Sequence, residues 1–337
     1  MTKRDREFAA ESTTDEVLEG IDLSGKRVLI TGGSSGLGVE SARAMAAHGA
    51  TVTVTARDVG KAEAAMAAVR QATGNDRVDV MELELDVPDS VRAFAKRFLE
   101  RNEPLDIQIN NAGVMACPLA RTAEGWEQQF ATNHLGHFLT TCLLAPSLRA
   151  SGNARVVSVS SGGHRFAGVE FDDIHFESRP YDKFAAYGQA KTANVLFAVE
   201  LDRRLADRGV HANAIHPGMI MTELGRHLTE DDIKAMMSRR GDDGGGASSS
   251  GGSGGGGGGL KFKPIEAGAA TQVYAATAPE LEGVGAMYLE DCQVSLEPGE
   301  RDGTVFLGCA DYARDPELAA RLWQVSEDTL GERFDFS

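Results

Sequence analysis

The sequence predicts an α/β fold: a doubly wound parallel sheet of about seven strands with helices on both faces. Three observations point there. Short runs rich in Val, Ile and Leu alternate with helical segments along most of the chain, which is the pattern of strands joined by right-handed helical crossovers. The apolar runs are nearly continuous, as strands covered on both faces require. A glycine-rich turn stands between the first such run and the first long helix.

Strands are predicted at Arg27–Thr31, 51–55, 78–85, 105–110, 155–160 and 210–215, with 285–289 as a last one. Helices are predicted at 36–48, 59–72, 89–102, 123–150 and 182–207. Residues 1–20 read as a polar leader with one helical turn at Thr14–Leu18, and 21–337 as a single domain. A closing helix is predicted at 315–330, with Asp315 as N-cap and Pro316 in its first turn. The Gly/Ser-rich insertion at 241–259 cannot bury apolar surface and reads as a flexible coil, either an inert insertion or engineered linker or a hinge for a lid at 229–238.

The chain has 337 residues, 42% hydrophobic and 25% charged, a composition that supports one large buried core. Its net charge of -16 argues against a nucleic-acid backbone or an anionic membrane as the main partner. No stretch approaches the ~18 apolar residues of a membrane span. Residues 3–7 carry mixed charge and lead into no apolar run, so no signal peptide is evident. Cys117, Cys142, Cys292 and Cys309 form no C-x-x-C and read as reduced thiols of a cytoplasmic protein.

The turn Thr31-Gly32-Gly33-Ser34-Ser35-Gly36-Leu37-Gly38 follows a strand and opens a helix. Glycines there admit a pyrophosphate to the backbone, and the helix N-terminus offers free N–H groups. Its spacing, T-G-x-x-x-G-x-G, resembles that of the short-chain dehydrogenase/reductase family, whose fold is Rossmann-type. Further motifs fall in the family's order over about 22–223, and again near 282–292. Asp86-Val87 matches its adenine-contacting pair, and Asn110-Asn111-Ala112-Gly113 the end of its fourth strand. Pro217-Gly218, with Ile220 and Thr222, matches the segment beside the nicotinamide amide. Asn133-His134-Leu135-Gly136-His137-Phe138, His216-Pro217-Gly218 and Leu281-Glu282-Gly283 are closest to the retinol-dehydrogenase-like branch.

The resemblance implies a nicotinamide cofactor, and the end of the second strand indicates which. NAD-selective sites place a carboxylate there for the ribose 2′-hydroxyl. Here the position is Ala56, followed by Arg57, whose guanidinium suits a 2′-phosphate. NADP(H) is therefore favoured, with NAD(H) the alternative if Asp58 swings in.

The resemblance also assigns the catalytic group. Ser161 polarises the substrate oxygen, with Ser160 and then Ser158 as weaker candidates. Tyr187 is general acid in reduction and base in oxidation, Lys191 lowers its pKa and holds the nicotinamide ribose, and Asn133 supports a water-linked proton path. The helical spacing agrees, since Tyr187 and Lys191 share one face. The rival Tyr181 has Ala185 at the matching position. The stretch between Ser161 and Tyr187 is long for the family, though the retinol-dehydrogenase-like branch has a similar extension. His134 and His137 lack a third ligand and read as helix packing, not metal. His164, His175 and His227 are expected at the pocket border, and Trp126 in the core.

The expected function is an NADP(H)-dependent carbonyl reductase or alcohol dehydrogenase. The alternatives are an NAD-dependent alcohol dehydrogenase, an epimerase or dehydratase of the extended family, or a non-catalytic cofactor-binding sensor. Substrate specificity is expected in 114–117, 164–181 and 219–238. Val114, Met115, Phe166, Phe171, Met219, Ile220, Met221, Met236 and Met237 there suggest a hydrophobic small molecule. The family resemblance further implies a homodimer or homotetramer assembled through helices 123–150 and 182–207.

Overall fold

The computed structural model describes residues 8–229, 231–232, 262–295 and 308–336. The 241–259 insertion, most of the 229–238 segment with Met236 and Met237, and the first residues of the leader lie outside the described residues.

The strands β1 (Arg27–Thr31), β2 (Thr51–Ala56), β3 (Val78–Glu82), β4 (Ile107–Asn110), β5 (Ala154–Val159), β6 (Val210–His216), β7 (Tyr288–Glu290) and β8 (Gln293–Val294) form one sheet in the order β3-β2-β1-β4-β5-β6-β7-β8. All neighbours are parallel except β7 and β8. The order reverses between β1 and β4, so the chain opens a crevice beyond their carboxyl ends, where open α/β sheets bind ligands. Every residue of β5 is buried, as a central strand with helices on both faces demands.

The helices are α1 (Thr14–Leu18), α2 (Gly36–Ala47), α3 (Val59–Thr73), α4 (Pro88–Leu99), α5 (Gly136–Ser151), α6 (Lys183–Leu205), α7 (Ile265–Thr277) and α8 (Pro316–Leu330). Their ends follow local chemistry. Asp58 caps α3 by accepting the Lys61 N–H at 2.9 Å, and Gly74 closes it in the left-handed region. Asp315 caps α8 as predicted, accepting from Glu317 and Leu318.

Four elements depart from expectation. The predicted 123–150 helix begins only at Gln128, because Arg121 to Glu127 close a small bridged loop around Gly125. Its first turn, Gln128–Phe130, then passes through a π-helical turn, Ala131–Leu135, before α5. The third strand stops at Glu82, and the following chain turns into the crevice before Pro88 starts α4. Helix α7 was not predicted: it is buried on nearly every side, so it shows no apolar stripe to betray a helix. The short β8 was also missed, since its turn, Asp291-Cys292, holds two non-glycine residues at positive φ and lacks the usual Asn-Gly signal.

The outer faces of α5 and α6 are covered by α8 of the same chain. Trp323 is buried there, with its ring 4.7 Å from Phe138 and stacked at 6.0 Å on Phe197. The Arg204 guanidinium lies 4.4 Å over the same indole. Trp323→Ala is expected to cost about 3–5 kcal/mol, as for other buried large-to-small changes. Urea unfolding should show this as a lowered midpoint.

Candidate active site

Gly32 sits at φ +78°, a conformation that favours glycine, and carries the chain out of β1. Gly38 is required for closeness: a Cβ there would lie 2.2 Å from the Gly32 carbonyl oxygen, so α2 could not start where it does. The turn is held against β4 through Thr31. Its hydroxyl accepts the Asn111 N–H at 2.9 Å and the Ala112 N–H at 3.0 Å, and the Asn111 side-chain amide donates to the Thr31 carbonyl at 2.8 Å.

From this turn a cavity of about 820 Å³ runs along the crevice. Gly32, Ser34, Ser35, Gly36, Leu37, Arg57 and Asp86 line one end, and Asn111, Ala112 and Gly113 the middle. Ser161, Tyr187, Lys191, Pro217, Gly218, Ile220 and Thr222 line the rest. Three predicted residues do not line it. Gly38 lies behind Gly32, Val87 forms the N-cap of α4, and Asn133 stands behind the Gly113–Val114 backbone. The crevice also takes residues that the sequence motifs did not single out, among them Lys61, Leu83, Leu85, Phe184, Glu223, Arg226 and Phe262. They come from segments far apart in the chain, and their closeness has no local signature.

The serines at the end of β5 separate by their surroundings. Ser160 Oγ donates to the Lys191 carbonyl at 2.8 Å and is buried, while Ser158 Oγ is buried without a partner among the described residues. Ser161 Oγ faces the cavity, accepts the Gly163 N–H at 3.0 Å and hydrogen-bonds Tyr187. Gly163 lets that tyrosine in, since a Cβ there would lie 2.7 Å from its ring. Tyr181, the rival, lies in another network: its hydroxyl donates to the Cys117 carbonyl at 3.0 Å and touches Glu127 and Gln129.

Lys191 Nζ donates to the Val159 carbonyl at 2.9 Å and lies 5.7 Å from the Tyr187 ring centre. Both groups are fully enclosed, and burial dominates their ionisation. It pulls the Lys191 ammonium down to about 8 and pushes the Tyr187 phenol up to about 12, with the Ser161 hydroxyl opposing the latter. The expected lowering of Tyr187 by Lys191 is not found: burial sets the direction, and the Ser161 hydroxyl is what opposes it.

The histidines are structural partners. His137 Nδ1 meets the Asn133 carbonyl at 3.0 Å and its Nε2 meets Thr31 Oγ1 at 2.8 Å. His134 Nε2 meets Ser326 Oγ at 2.8 Å. His164 does not line the cavity. Its Nδ1 meets the Ser161 carbonyl at 2.7 Å, and its Nε2 accepts from Ala310. His175 Nδ1 accepts the Glu127 N–H at 3.2 Å, and His227 is exposed outside the cavity lining. His216 does line the cavity: its Nδ1 accepts the Gly162 N–H at 3.0 Å, and burial holds it neutral, near 3. Trp126 is half-buried and packs against two of the apolar clusters.

Glycine turn, crevice and serine–tyrosine–lysine cluster together define a nucleotide-dependent oxidoreductase site, and comparison with known proteins agrees. The family model described as short chain dehydrogenase matches residues 26–233. A Streptomyces antibioticus protein named "Probable oxidoreductase" is 43% identical over 92% of this chain and 99% of its own length. Human retinol dehydrogenase 12 is 38% identical over 94% of this chain and 89% of its own. The crystal structure of an uncharacterized protein from Mycobacterium Paratuberculosis superposes with a TM-score of 0.68 at 33% identity, covering 94% of this chain and 97% of that one. The chain belongs to the short-chain dehydrogenase/reductase family and is an NAD(P)-dependent oxidoreductase.

Burial of Lys191 has a measurable consequence. Its pKa falls from 10.5 to about 8 on folding, so between those values the unfolded chain holds a proton that the native one has lost. Stability contributed by this group therefore rises with pH across that window, by about 3 kcal/mol in total. The unfolding free energy of wild type minus that of Lys191→Met should climb between pH 8 and 10.5. A flat difference would contradict the burial argument.

Proposed function

We propose that the protein transfers a hydride between NADP(H) and the carbonyl or secondary alcohol of a hydrophobic small molecule, with Tyr187 as general acid/base. The observation that carries this reading is the meeting of Ser161, Tyr187 and Lys191 in the same crevice as the glycine turn.

The residues fit a dinucleotide. The close-packed glycines bring the start of α2 up to the crevice, and its first N–H groups, which no Ser35 side-chain bond caps, can cradle a pyrophosphate. Asp86, Asn111, Ala112 and Gly113 would flank the adenosine half, and Lys191, Pro217, Gly218, Ile220 and Thr222 the nicotinamide half. When bound, the cofactor supplies or accepts the hydride.

The chain's own groups handle the proton. Ser161 Oγ orients the substrate oxygen beside the Tyr187 hydroxyl. Tyr187, with a pKa near 12, keeps its proton at neutral pH and can donate it to that oxygen as the alcohol forms. In the oxidative direction Lys191 is the cation placed to stabilise the phenolate. Asn133 acts by positioning: its side chain accepts from the Val114 N–H at 2.8 Å and donates to the Val114 carbonyl at 2.9 Å.

Preference for NADP(H) rests on charge. Ala56 offers no carboxylate to the ribose, Arg57 lines the cavity with no ion pair among the described residues, and Asp58 is occupied capping α3. A hydrophobic substrate is supported by Val114, Met115, Phe166, Phe184, Met219 and Phe262 in the lining, and by the alcohol named in the human relative. The protein would act in the cytoplasm, where its four free cysteines stay reduced; no described helix is long and apolar enough to cross a membrane. A homodimer or homotetramer through α5 and α6 would have to leave room for α8, whose Trp323 packs on Phe138 and Phe197.

Tyr187→Phe should lower kcat by about 10²–10⁴-fold while NADPH binding, read by fluorescence titration, is retained. Full activity in that variant refutes the assignment. For cofactor choice, Arg57→Ala should raise KM for NADPH by at least about tenfold and leave KM for NADH unchanged, since only the 2′-phosphate loses a charge-assisted bond. A wild-type preference for NADH would overturn it.

A further inference from the structure

Two guanidinium groups line the cavity, Arg57 and Arg226. Arg57 belongs with the adenosine end. Arg226 comes from the short 3-10 turn Glu223–His227, which follows β6 and is capped by Thr222. Around it the lining is apolar, with Leu224, Leu228, Met219 and Phe262. The Cys117 thiol is raised by burial, and the Arg226 charge opposes that rise. Arg226 therefore lies within electrostatic reach of the 114–117 loop, whose Val114 and Met115 form the apolar wall.

Among the described residues this cation makes no ion pair, although its charge reaches the Glu223 carboxylate and helps to lower its pKa. The carboxylates that line the cavity are engaged elsewhere. Glu223 pairs with Lys61 at 2.9 Å and accepts from Ser35 at 3.3 Å. Asp58 caps α3, and Asp86 accepts from Gln128 at 2.6 Å. Among the described residues the Arg226 guanidinium hydrogen-bonds the Glu223 main-chain carbonyl, at 3.1 Å. Many arginines in this acidic chain have a carboxylate partner: Arg43, Arg70, Arg92, Arg101 and Arg203 are examples. A guanidinium left unpaired at the edge of an apolar pocket is suited to a planar anion brought by a ligand.

We infer that Arg226 recognises a carboxylate on the substrate, so that the preferred compound is a hydrophobic ketone or secondary alcohol with an acid group remote from the reacting carbon. The position of the reacting carbon rests on the hydride-transfer reading above; capture of the anion by Arg226 does not.

The test is calorimetry on the full-length protein saturated with NADP⁺. The probes are ω-benzoyl alkanoates graded in chain length and their methyl esters, which differ in charge and little in apolar surface. At the best length the acid is expected to bind about tenfold more tightly than its ester. Arg226→Ala should bring that ratio to about one, and Arg226→Lys should restore part of it, because a point charge lacks the bidentate fork. Equal affinities of acid and ester at every length overturn the inference, as does a ratio unchanged in Arg226→Ala. A loss of NADP⁺ affinity in Arg226→Ala with the ratio intact also overturns it, by giving the guanidinium to the cofactor. Turnover is read separately as Tyr187-dependent NADPH oxidation, so an inactive protein with a clear acid preference would count against hydride transfer and not against Arg226.

Discussion

The Thr31 hydroxyl is the point on which the site depends. It lies buried at the end of β1, accepts two backbone N–H groups from Asn111 and Ala112, and meets His137 Nε2. One oxygen thus ties the glycine turn, the end of β4 and the first turn of α5. A buried hydroxyl that satisfies donors from separate elements fixes their spacing, because each broken bond would leave a polar group stranded. His137 extends the chain to the Asn133 carbonyl, and burial holds that ring neutral, near 4. Neutrality matters, since it lets one ring nitrogen donate to Asn133 while the other accepts from Thr31. Asn133 then grips both backbone groups of Val114.

On the other side of the crevice the governing constraint is desolvation. Tyr187 and Lys191 sit on one face of α6, enclosed by β5, the Gly162–Phe166 turn and the 113–114 backbone. Glycines at 113, 163 and 188 make the enclosure possible, because a Cβ at any of them would press on Asn133, Tyr187 or the neighbouring backbone. The enclosure keeps Tyr187 protonated and weakens the charge on Lys191. Ser160 shows how tightly the arrangement is tied together: its hydroxyl holds the Lys191 carbonyl, so strand and helix cannot slide apart.

Much of this was legible in the chain. Strand β1 and helix α1 have the predicted ends, and the Asp315 cap of α8 is where local chemistry placed it. The glycine turn was readable because its meaning is local, a strand–turn–helix junction, whereas Ser161, Tyr187 and Lys191 were singled out by resemblance to the family. The misses share a different cause. Helix α7 is buried nearly all round by the sheet, α1 and α2, and the π-helical turn at Asn133 answers to the Val114 backbone packed against it. Neither constraint leaves a periodic trace in its own segment.

The sequence by itself determined the sheet and the nucleotide turn, because each follows from spacing within a few residues, while resemblance to the family singled out Ser161, Tyr187 and Lys191. The tertiary structure alone showed that the Ser160 hydroxyl is bonded to the Lys191 carbonyl while Ser161 meets Tyr187, that Tyr181 lies in another network, and that Asp58 is spent on a helix cap. It also decided that burial, opposed by the Ser161 hydroxyl, sets the state of Tyr187. The physical reason is the same throughout. Hydrogen-bond partners and solvent exclusion come from residues distant in the chain, and a side chain's chemistry is set by those neighbours as much as by its own identity.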